Sequence, residues 1–264
     1  MEVFQYRSVT GVLPLRDDNP THHRPYVTLF LIALCAVVYF VVQPTPFAST
    51  TADARFEYRY AAIPTEVVHG SPLSTCAAAS GILGVTASAA GCKQPGSIVP
   101  YAPAKHTRLA IITSVFLHAS IIHLLGNMLY LWIFGNNVED RLRPVGFALF
   151  FIAGGIIATL GHVLADPSSQ IPVVGASGAI AAVMGAYLVW YPKVRVQALA
   201  LGFFPIRIQA MWLLLIWLVM QFFTSRGSQV AWVAHVVGFV FGALVALLLR
   251  RVTLQDHPSS IAVI

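Results

Sequence analysis

Two side chains of this chain could form a hydrolytic pair inside strongly apolar sequence. Ser177 lies in a Gly-Ala-Ser-Gly segment, and His235 lies in a second apolar segment further along the chain. No acidic residue occurs between Glu66 and Glu139 or between Asp166 and Asp256. A Ser-His-Asp triad and a pair of catalytic aspartates therefore cannot be assembled inside these segments. A Ser-His dyad remains possible, in which the histidine removes the proton of the serine hydroxyl.

A third apolar segment carries two further polar side chains, His123 and Asn127. They are spaced by four residues, so a helix would place them on one face. Counted from the same side of the membrane, Ser177, His235 and Asn127 all lie roughly 10–14 Å deep at 1.5 Å per residue. Asn127 is an uncharged donor and could stabilise a developing oxyanion. We therefore expect these residues to share a cavity that opens to the outside.

Small residues accompany the serine and the histidine at helical spacing. The two stripes are Ser177, Ala181 and Gly185 on one segment, and His235, Gly238 and Gly242 on the other. Small stripes let helix backbones approach closely. Close approach is needed for a Ser-His hydrogen bond of about 2.6–3.2 Å without a carboxylate to assist. We assign Gly178, Gly238 and Gly242 to helix packing.

Composition indicates a membrane protein. Of the 264 residues, 57% are hydrophobic and 10% are charged, whereas soluble domains have about 25% charged residues. Six uncharged apolar segments are close to the length needed for a ~30 Å hydrocarbon core. We predict an all-α membrane protein, a polytopic bundle of six transmembrane helices. The segments are Tyr26–Val42, Ser120–Phe134, Val145–Ala165, Ile171–Tyr191, Gln209–Phe223 and Val230–Leu249.

Two of these spans result from dividing longer apolar stretches. Leu109–Phe134 is too long for one crossing, and Ser120 can cap a new helix within it. Val196–Thr224 is interrupted by glycine and proline, so its spanning helix is expected to begin near Gln209. The alternating pattern at 193–197 predicts an extended interfacial loop.

Basic residues beside the spans predict the orientation. They are concentrated on the side of the N-terminus, which indicates that both termini are cytoplasmic. We expect a multi-pass protein of the plasma (inner) membrane whose site opens outward. Its parts are a cytoplasmic segment 1–25, a membrane domain 26–250 with a long outer loop 43–119, and a cytoplasmic tail 251–264. The net charge of +6 then matches anionic lipid, and no nucleic-acid partner is expected.

The three cysteines predict no metal site. Cys35 lies in the first span, where a small buried hydrophobic residue is the expected role. Cys76 and Cys92 lie in the outer loop, where an oxidising compartment permits a disulfide, and the sequence leaves both states open. Neither Cys-x-x-Cys nor His-Glu-x-x-His occurs in the chain, so no metal ligands are assigned.

Five short motifs in order along residues 105–250 resemble the rhomboid family of intramembrane serine proteases. Their order, their spacing and their placement on separate spans make the resemblance specific. They are Phe116-Leu117-His118, His123-Leu124-Leu125-Gly126-Asn127-Met128, Gly135 with Val138-Glu139, Gly175-Ala176-Ser177-Gly178-Ala179-Ile180, and His235-Val236-Val237-Gly238-Phe239 with Gly242.

The resemblance implies roles for the polar residues. Ser177 would be the nucleophile and His235 the general base and acid. His123 and Asn127, with the Ser177 backbone N–H, would form the oxyanion site, and we place Gly175 in the same group. The resemblance further implies a six-helix core without cofactor or metal, which cleaves single-span membrane proteins near the outer ends of their helices. It leaves the oligomeric state open.

Other positions receive structural roles or depart from the family pattern. We expect His118 to support the outer loop, and Glu139 to pin the inner loop through Arg141 or backbone donors. Ala181 stands where some members carry an aromatic ring that packs on the histidine, so another group must hold His235. Val237 stands where a small residue is common, which predicts altered packing beside His235.

Three other functions remain as alternatives. A proteolytically inactive rhomboid-like protein would bind or unfold membrane clients, but such relatives typically lack the serine or the histidine. A membrane cytochrome would use histidines as haem ligands and show a Soret band, with no role for Asn127. A transporter would carry a charged site at mid-membrane, and the predicted spans contain no such charge.

Overall fold

Helices make up most of this computed structural model, which describes residues 12–44, 51–83, 101–200, 203–223 and 231–253. In chain order the helices are α1 (Tyr26–Val37), α2 (Thr51–Tyr60), α3 (Pro64–His69), α4 (Thr75–Leu83), α5 (Ala110–Thr113), α6 (Ile121–Tyr130), α7 (Asn136–Ala165), α8 (Ser177–Trp190), α9 (Ala210–Gln221) and α10 (Trp232–Thr253). Short π-helical turns extend α1 through Val42 and join α6 to α7. The mostly helical character predicted from the sequence is confirmed.

The continuous helical run from α6 through α7 contains one sharp break. Arg143 has a φ of 63°, a conformation that a helix interior does not adopt, and Pro144 follows it. Proline disfavours helical geometry at the preceding residue, which explains the position of the break. The run therefore consists of two helices, 121–142 and 144–165, each ~33 Å long at 1.5 Å per residue. The first is longer than the predicted span Ser120–Phe134.

Length and apolar composition single out two helical runs in the described chain as able to cross a membrane. They are Ile121–Ala165, with 45 residues, and Trp232–Arg250, with 19. Three shorter apolar helices cover Tyr26–Val42, Ser177–Trp190 and Ala210–Gln221. The predicted count of six crossings therefore stays a prediction.

Helix α8 is central to the fold. Every residue from Gly178 to Tyr187 is buried. α7 and α10 pack along α8, and α9 contacts it less extensively. A helix buried on all sides cannot present a polar face, which explains its nearly unbroken apolar and small-residue sequence. A polar group at the start of α8 is therefore held in a fixed position by the whole bundle.

The start of α8 differs from the sequence prediction. The fourth span was expected to begin at Ile171, but the helix begins at Ser177. Gly175 has a φ of 113°, which is incompatible with helix and ends any helical path from the N-terminal side. The preceding loop is instead joined to the loop 43–119, since Val173 N donates to Ala62 O at 2.8 Å and Gly175 N donates to Ser114 O at 2.9 Å.

The loop 43–119 contains a buried ion pair. Lys105 Nζ lies 2.5 Å from Glu66 Oε2, and both side chains are 3% exposed. Glu66 also accepts from Leu73 N at 2.7 Å, and Lys105 donates to Tyr58 O at 2.9 Å. Both charges therefore have partners, as burial demands. The pair connects α3 to the chain before α5.

The cysteines fall into two environments. Cys35 is a buried free thiol in α1, which is the packing role expected from the sequence. Cys76, in α4, is disulfide-bonded. Cys92, the partner that the sequence left open, lies outside the described residues.

A small sheet was missed by the all-α prediction. Strands β1 (Val12–Asp17), β2 (Arg195–Ala200) and β3 (Phe204–Gln209) pair antiparallel in the order β1-β2-β3. The segment 193–197, predicted as an extended interfacial loop, leads into the central strand. Strand β1 pairs with Val196–Ala200 from far along the chain, and no local pattern in 1–25 reveals such a partner.

Strand β1 is fixed to the helices by a buried carboxylate. Asp17 Oδ2 accepts from Tyr187 Oη at 2.6 Å and from Asn137 Nδ2 at 2.7 Å. Tyr187 lies in the last turns of α8, ~15 Å from Ser177 at 1.5 Å per residue. The sheet therefore lies at the end of the bundle opposite Ser177.

Glu139 caps helix α1. Its side chain is 2% exposed. It accepts from Val27 N at 2.8 Å and from Thr28 N at 2.7 Å, and Thr28 Oγ1 also donates to it at 2.8 Å. The first N–H groups of a helix lack partners within the helix, and Pro25 at the N-cap supplies no side-chain acceptor. Of the two partners expected from the sequence, the backbone donors are therefore the ones observed.

Replacing this carboxylate should destabilise the fold. In Glu139→Gln one oxygen becomes an NH2 group that faces a donor, which leaves a buried N–H without an acceptor. We expect a loss of about 1–3 kcal/mol in the free energy of unfolding, measured by denaturant unfolding in detergent micelles.

The matched control is Glu57→Gln in α2. Burial, with a contribution from Asp53, raises the pKa of the Glu57 carboxyl to about 7, so the amide replaces a group that is often neutral. An equal loss in both variants would contradict the capping role of Glu139.

Candidate active site

Ser177 and His235 are within hydrogen-bonding distance. Ser177 is the first residue of α8, and His235 lies in the first turn of α10. His235 Nε2 is 2.8 Å from Ser177 Oγ. An imidazole nitrogen at this distance can accept the hydroxyl proton and so activate the oxygen as a nucleophile.

Close backbone contact between α8 and α10 makes this distance possible. A Cβ on Gly238 would overlap the carbonyl oxygen of Gly178, and a Cβ on Gly242 would overlap that of Ala182. A Cβ on Gly185 would in turn overlap the carbonyl oxygen of Phe239. The residues of α8 that contact α10 are therefore Gly178, Ala182 and Gly185. The predicted stripe had Ser177 and Ala181 in place of the first two, so it was displaced by one residue at those positions. The three glycines assigned to packing all lie at buried helix contacts.

Val237 is accommodated by a glycine on α7. A Cβ on Gly161 would lie 2.7 Å from both Val237 methyl carbons. The larger side chain beside His235 therefore fills space that Gly161 leaves empty. The altered packing expected at Val237 is therefore a local contact in which this side chain of α10 packs against Gly161 of α7.

His235 is held by two side chains of α9. Its Nδ1 lies 2.7 Å from Gln221 Oε1, and the Trp217 ring centroid lies 5.6 Å from its own. Gln221 and Trp217 therefore hold the His235 ring in place, which the methyl group of Ala181 cannot do. Sequence reasoning missed Gln221, although an amide at the end of an otherwise apolar helix was an available signal, because polar groups in membrane segments are costly.

His123 and Asn127 lie beside the residues that precede Ser177. Ser120 caps α6 as predicted, since its Oγ accepts from His123 N at 3.1 Å. A Cβ on Gly175 would lie 2.7 Å from His123 Nε2 and 3.4 Å from Asn127 Nδ2. Only glycine at position 175 permits this approach. The structure thus brings together the residues that the sequence singled out on three helices.

The amide of Asn127 is available for a ligand. The side chain is 8% exposed, and its Nδ2 has no hydrogen-bond partner within the part of the chain that the structure describes. A buried donor without a partner costs about 1–3 kcal/mol. Such a group is expected where a bound molecule or a water supplies the acceptor.

His118 supports the loop before α6. The residue is fully buried. Its backbone N–H donates to Gln43 Oε1 at 3.0 Å, and its carbonyl accepts from Gln43 Nε2 at 2.9 Å. Burial and the neighbouring His123 lower the pKa of His118 to about 3, so its ring is neutral at physiological pH. These contacts fit the structural role assigned from the sequence.

The described residues contain no group of three or more histidine, cysteine or acidic side chains arranged to hold a metal ion. His118 and His123 approach each other, with ring centroids 5.3 Å apart. Two rings fall short of the three protein ligands typical of catalytic zinc. The assignment of no metal and no cofactor stays a prediction.

Comparison with known proteins identifies one family. Residues 105–252, more than half of the chain, match the family model described as Rhomboid domain. This region contains α5 to α9 and all but the last residue of α10, and with them Ser177, His235, His123, Asn127 and Gln221.

Individual relatives share parts of this region. The presenilin-associated rhomboid-like protein A, mitochondrial, of Danio rerio is 33% identical over 96 residues, which are 35% of this chain and 25% of the relative. The putative rhomboid protease YdcA of Bacillus subtilis (strain 168) is 37% identical over 78 residues, 30% of this chain and 39% of the relative. The rhomboid protease GlpG of Yersinia pestis (strain Pestoides F) is 29% identical over 135 residues, 51% of this chain and 46% of the relative. The matches span less than half the length of each of these relatives.

The glycine contact between α8 and α10 should tolerate no side chain. Gly238→Ala places a methyl group against the Gly178 carbonyl, so we expect a loss of about 1–3 kcal/mol or more in the free energy of unfolding. Thermal unfolding in one detergent is the measurement.

Gly126→Ala, in α6, is the control. A Cβ there meets nothing within 4 Å, and its stability should stay within about 1 kcal/mol of wild type. Equal stability of the Gly238 and Gly126 variants would contradict the close contact.

Proposed function

The chain belongs to the rhomboid family, and on this basis we propose that it is an intramembrane serine protease acting through Ser177 and His235. The observation that carries this proposal is the 2.8 Å distance between His235 Nε2 and Ser177 Oγ. Serine-protease activity requires this pair within hydrogen-bond reach. No described acidic side chain hydrogen-bonds to His235, so the pair would act without a carboxylate.

The first chemical step is the attack on a peptide carbonyl. Ser177 Oγ bonds to the carbonyl carbon while its proton moves to His235 Nε2. The carbonyl oxygen becomes an oxyanion in the tetrahedral intermediate. His235 must therefore be neutral and must present the lone pair of Nε2 to the serine.

The oxyanion would be stabilised by neutral donors. Asn127 Nδ2 is unpaired in the described chain, and His123 lies on the same face of α6. The N–H of Ser177 belongs to the first turn of α8, where N–H groups lack helical acceptors and the helix dipole favours negative charge. Gly175 supports the site by letting the backbone lie against His123 and Asn127.

The intermediate then collapses to an acyl-enzyme. His235 returns the proton to the departing amine, and the C–N bond breaks. Water next attacks the ester carbon, again with His235 as base, and Ser177 is released as the hydroxyl. Water must reach the site, which is consistent with the first-turn positions of Ser177 and His235 near the ends of their helices.

We further propose the membrane arrangement that places this site near the outer surface. Six helices would cross the bilayer within a membrane domain 26–250, with both termini in the cytoplasm and the plasma (inner) membrane as the location. The contacts of the α7–α8 loop with the loop 43–119, which we propose to lie outside, support an outer position for Ser177. Rhomboid proteases act on transmembrane proteins, and the substrates of this chain would be such proteins. A substrate helix must unwind to expose its backbone, so cleavage is expected at small or helix-breaking residues.

A fluorophosphonate probe tests the nucleophile directly. Its phosphorus is attacked by an activated serine with loss of fluoride, so the wild-type protein in detergent should be labelled. Ser177→Ala removes the nucleophile and His235→Ala removes the base, and both variants should lose labelling. In-gel fluorescence is the measurement.

Ser168→Ala in the α7–α8 loop is the control, and it should label as the wild type does. Absence of labelling in folded wild type would contradict the proposal and favour a proteolytically inactive relative that binds membrane clients. Labelling that persists in Ser177→Ala would assign the reactive serine elsewhere.

Removal of the Asn127 donor should slow the reaction without abolishing it. Asn127→Leu keeps much of the side-chain volume but cannot donate to an oxyanion. We expect the labelling rate to fall about 100- to 1000-fold, measured as a time course at saturating probe. A wild-type rate in this variant would remove Asn127 from the oxyanion site.

A further inference from the structure

We propose that Gln221 is a positioning residue that fixes the tautomer and the orientation of His235. This inference rests on the proposed function, because it concerns the base of that reaction. The sequence predicted a two-residue arrangement, and the structure adds a neutral third side chain from α9. It carries no charge and acts only through His235.

The orientation of the Gln221 amide follows from its contact with the backbone. Gln221 Nε2 donates to the carbonyl oxygen of Trp217 at 3.0 Å. A carbonyl oxygen accepts hydrogen bonds and cannot donate them. The amide nitrogen must therefore face Trp217, and Oε1 must face the other way.

The amide in turn determines which imidazole nitrogen carries the proton. Gln221 Oε1 lies 2.7 Å from His235 Nδ1. Because Oε1 only accepts, this contact is favourable only when Nδ1 carries hydrogen. A neutral imidazole protonated on Nδ1 has its lone pair on Nε2, which is the nitrogen 2.8 Å from Ser177 Oγ. The Trp217 carbonyl thus sets the state of the base through two successive hydrogen bonds.

The opposite tautomer would be unproductive in two ways. Its Nδ1 lone pair would face the lone pairs of Gln221 Oε1 at 2.7 Å. Its Nε2 hydrogen would point at Ser177 and could not accept the hydroxyl proton. In the Ser-His-Asp triad the third residue holds the histidine in the productive tautomer, and here an amide is placed to do the same.

The amide also accepts from the charged histidine. When His235 takes the serine proton, Nδ1 keeps its hydrogen, and the bond to Oε1 persists. Gln221 is 2% exposed, so the oxygen dipole is not replaced by water. Gln221 and Trp217 both lie on α9, so the position of that helix determines the orientation and the tautomer of His235. The nucleophile Ser177 lies on a different helix, α8.

Kinetics with matched variants test this role. Gln221→Met keeps the length of the side chain but removes the strong acceptor, and Gln221→Glu restores an oxygen in either protonation state. Gln209→Met makes the first change at an exposed position, the last residue of β3 immediately before the same helix. Rates of fluorophosphonate labelling against probe concentration separate the maximal inactivation rate from the probe affinity.

We expect Gln221→Met to lower the maximal rate about 10- to 100-fold, with the probe affinity within about 3-fold of wild type. Gln221→Glu should recover most of the rate, and Gln209→Met should retain all of it. A wild-type rate in Gln221→Met would overturn the inference. The inference would also be overturned if Gln221→Glu failed to restore the maximal rate and the loss of rate in Gln221→Met accompanied a fall in its unfolding temperature.

A second readout is independent of protease activity. Selective [15N]histidine labelling, with His235→Ala for assignment, reports which imidazole nitrogen is protonated. Wild type and Ser177→Ala should both show protonated Nδ1, whereas Gln221→Met should show a mixture. Protonated Nε2 in the wild type would overturn the inference even if the protein is a protease. If the wild type does not react with the probe, the proposed function fails, and the spectrum still decides the role of Gln221.

Discussion

The contact between the backbones of α8 and α10 is the constraint on which the site depends. Gly178 and Ala182 on one helix meet Gly238 and Gly242 on the other without any intervening side chain. A serine and a histidine without a carboxylate partner have no long-range attraction to draw them together. Their 2.8 Å separation is therefore a result of helix packing. Any group that separates the helices by the width of a methyl would remove the hydrogen bond.

Polar contacts are concentrated at the two ends of the bundle. At one end, Asp17 of strand β1 accepts hydrogen bonds from Tyr187 of α8 and Asn137 of α7. Glu139 of α7 accepts from the start of α1, so these two carboxylates join the N-terminal segment to the helices. At the other end, Gln43 pairs with the backbone of His118, and the α7–α8 loop binds the loop 43–119. Between them the buried stretch of α8 is apolar. The site lies at the boundary of these regions, in the first turns of α8 and α10.

The sequence predicted the features that depend on local chemistry. The cap at Ser120, the beginning of α9 after Gln209 and the polar groups on three helices could all be read from residue types and spacing. The features it missed depend on three-dimensional partners. Strand β1 pairs with residues far along the chain, and the start of α8 depends on the φ of Gly175. Gln221 gains its role only through the arrangement of α9 beside His235. Two of the three positions predicted for the α8 stripe were displaced by one residue, because helical spacing alone does not fix which face meets a partner.

Cleavage of a single-span membrane protein in liposomes tests the central claim most directly. Purified wild type would be reconstituted with a set of such proteins whose helices carry small or helix-breaking residues near the outer end, and mass spectrometry would locate any cut. The account predicts a single cut in the outer part of the helix, absent with Ser177→Ala. Cleavage that persists without Ser177, or no cleavage of any member by protein that is folded and reactive towards the probe, would contradict it.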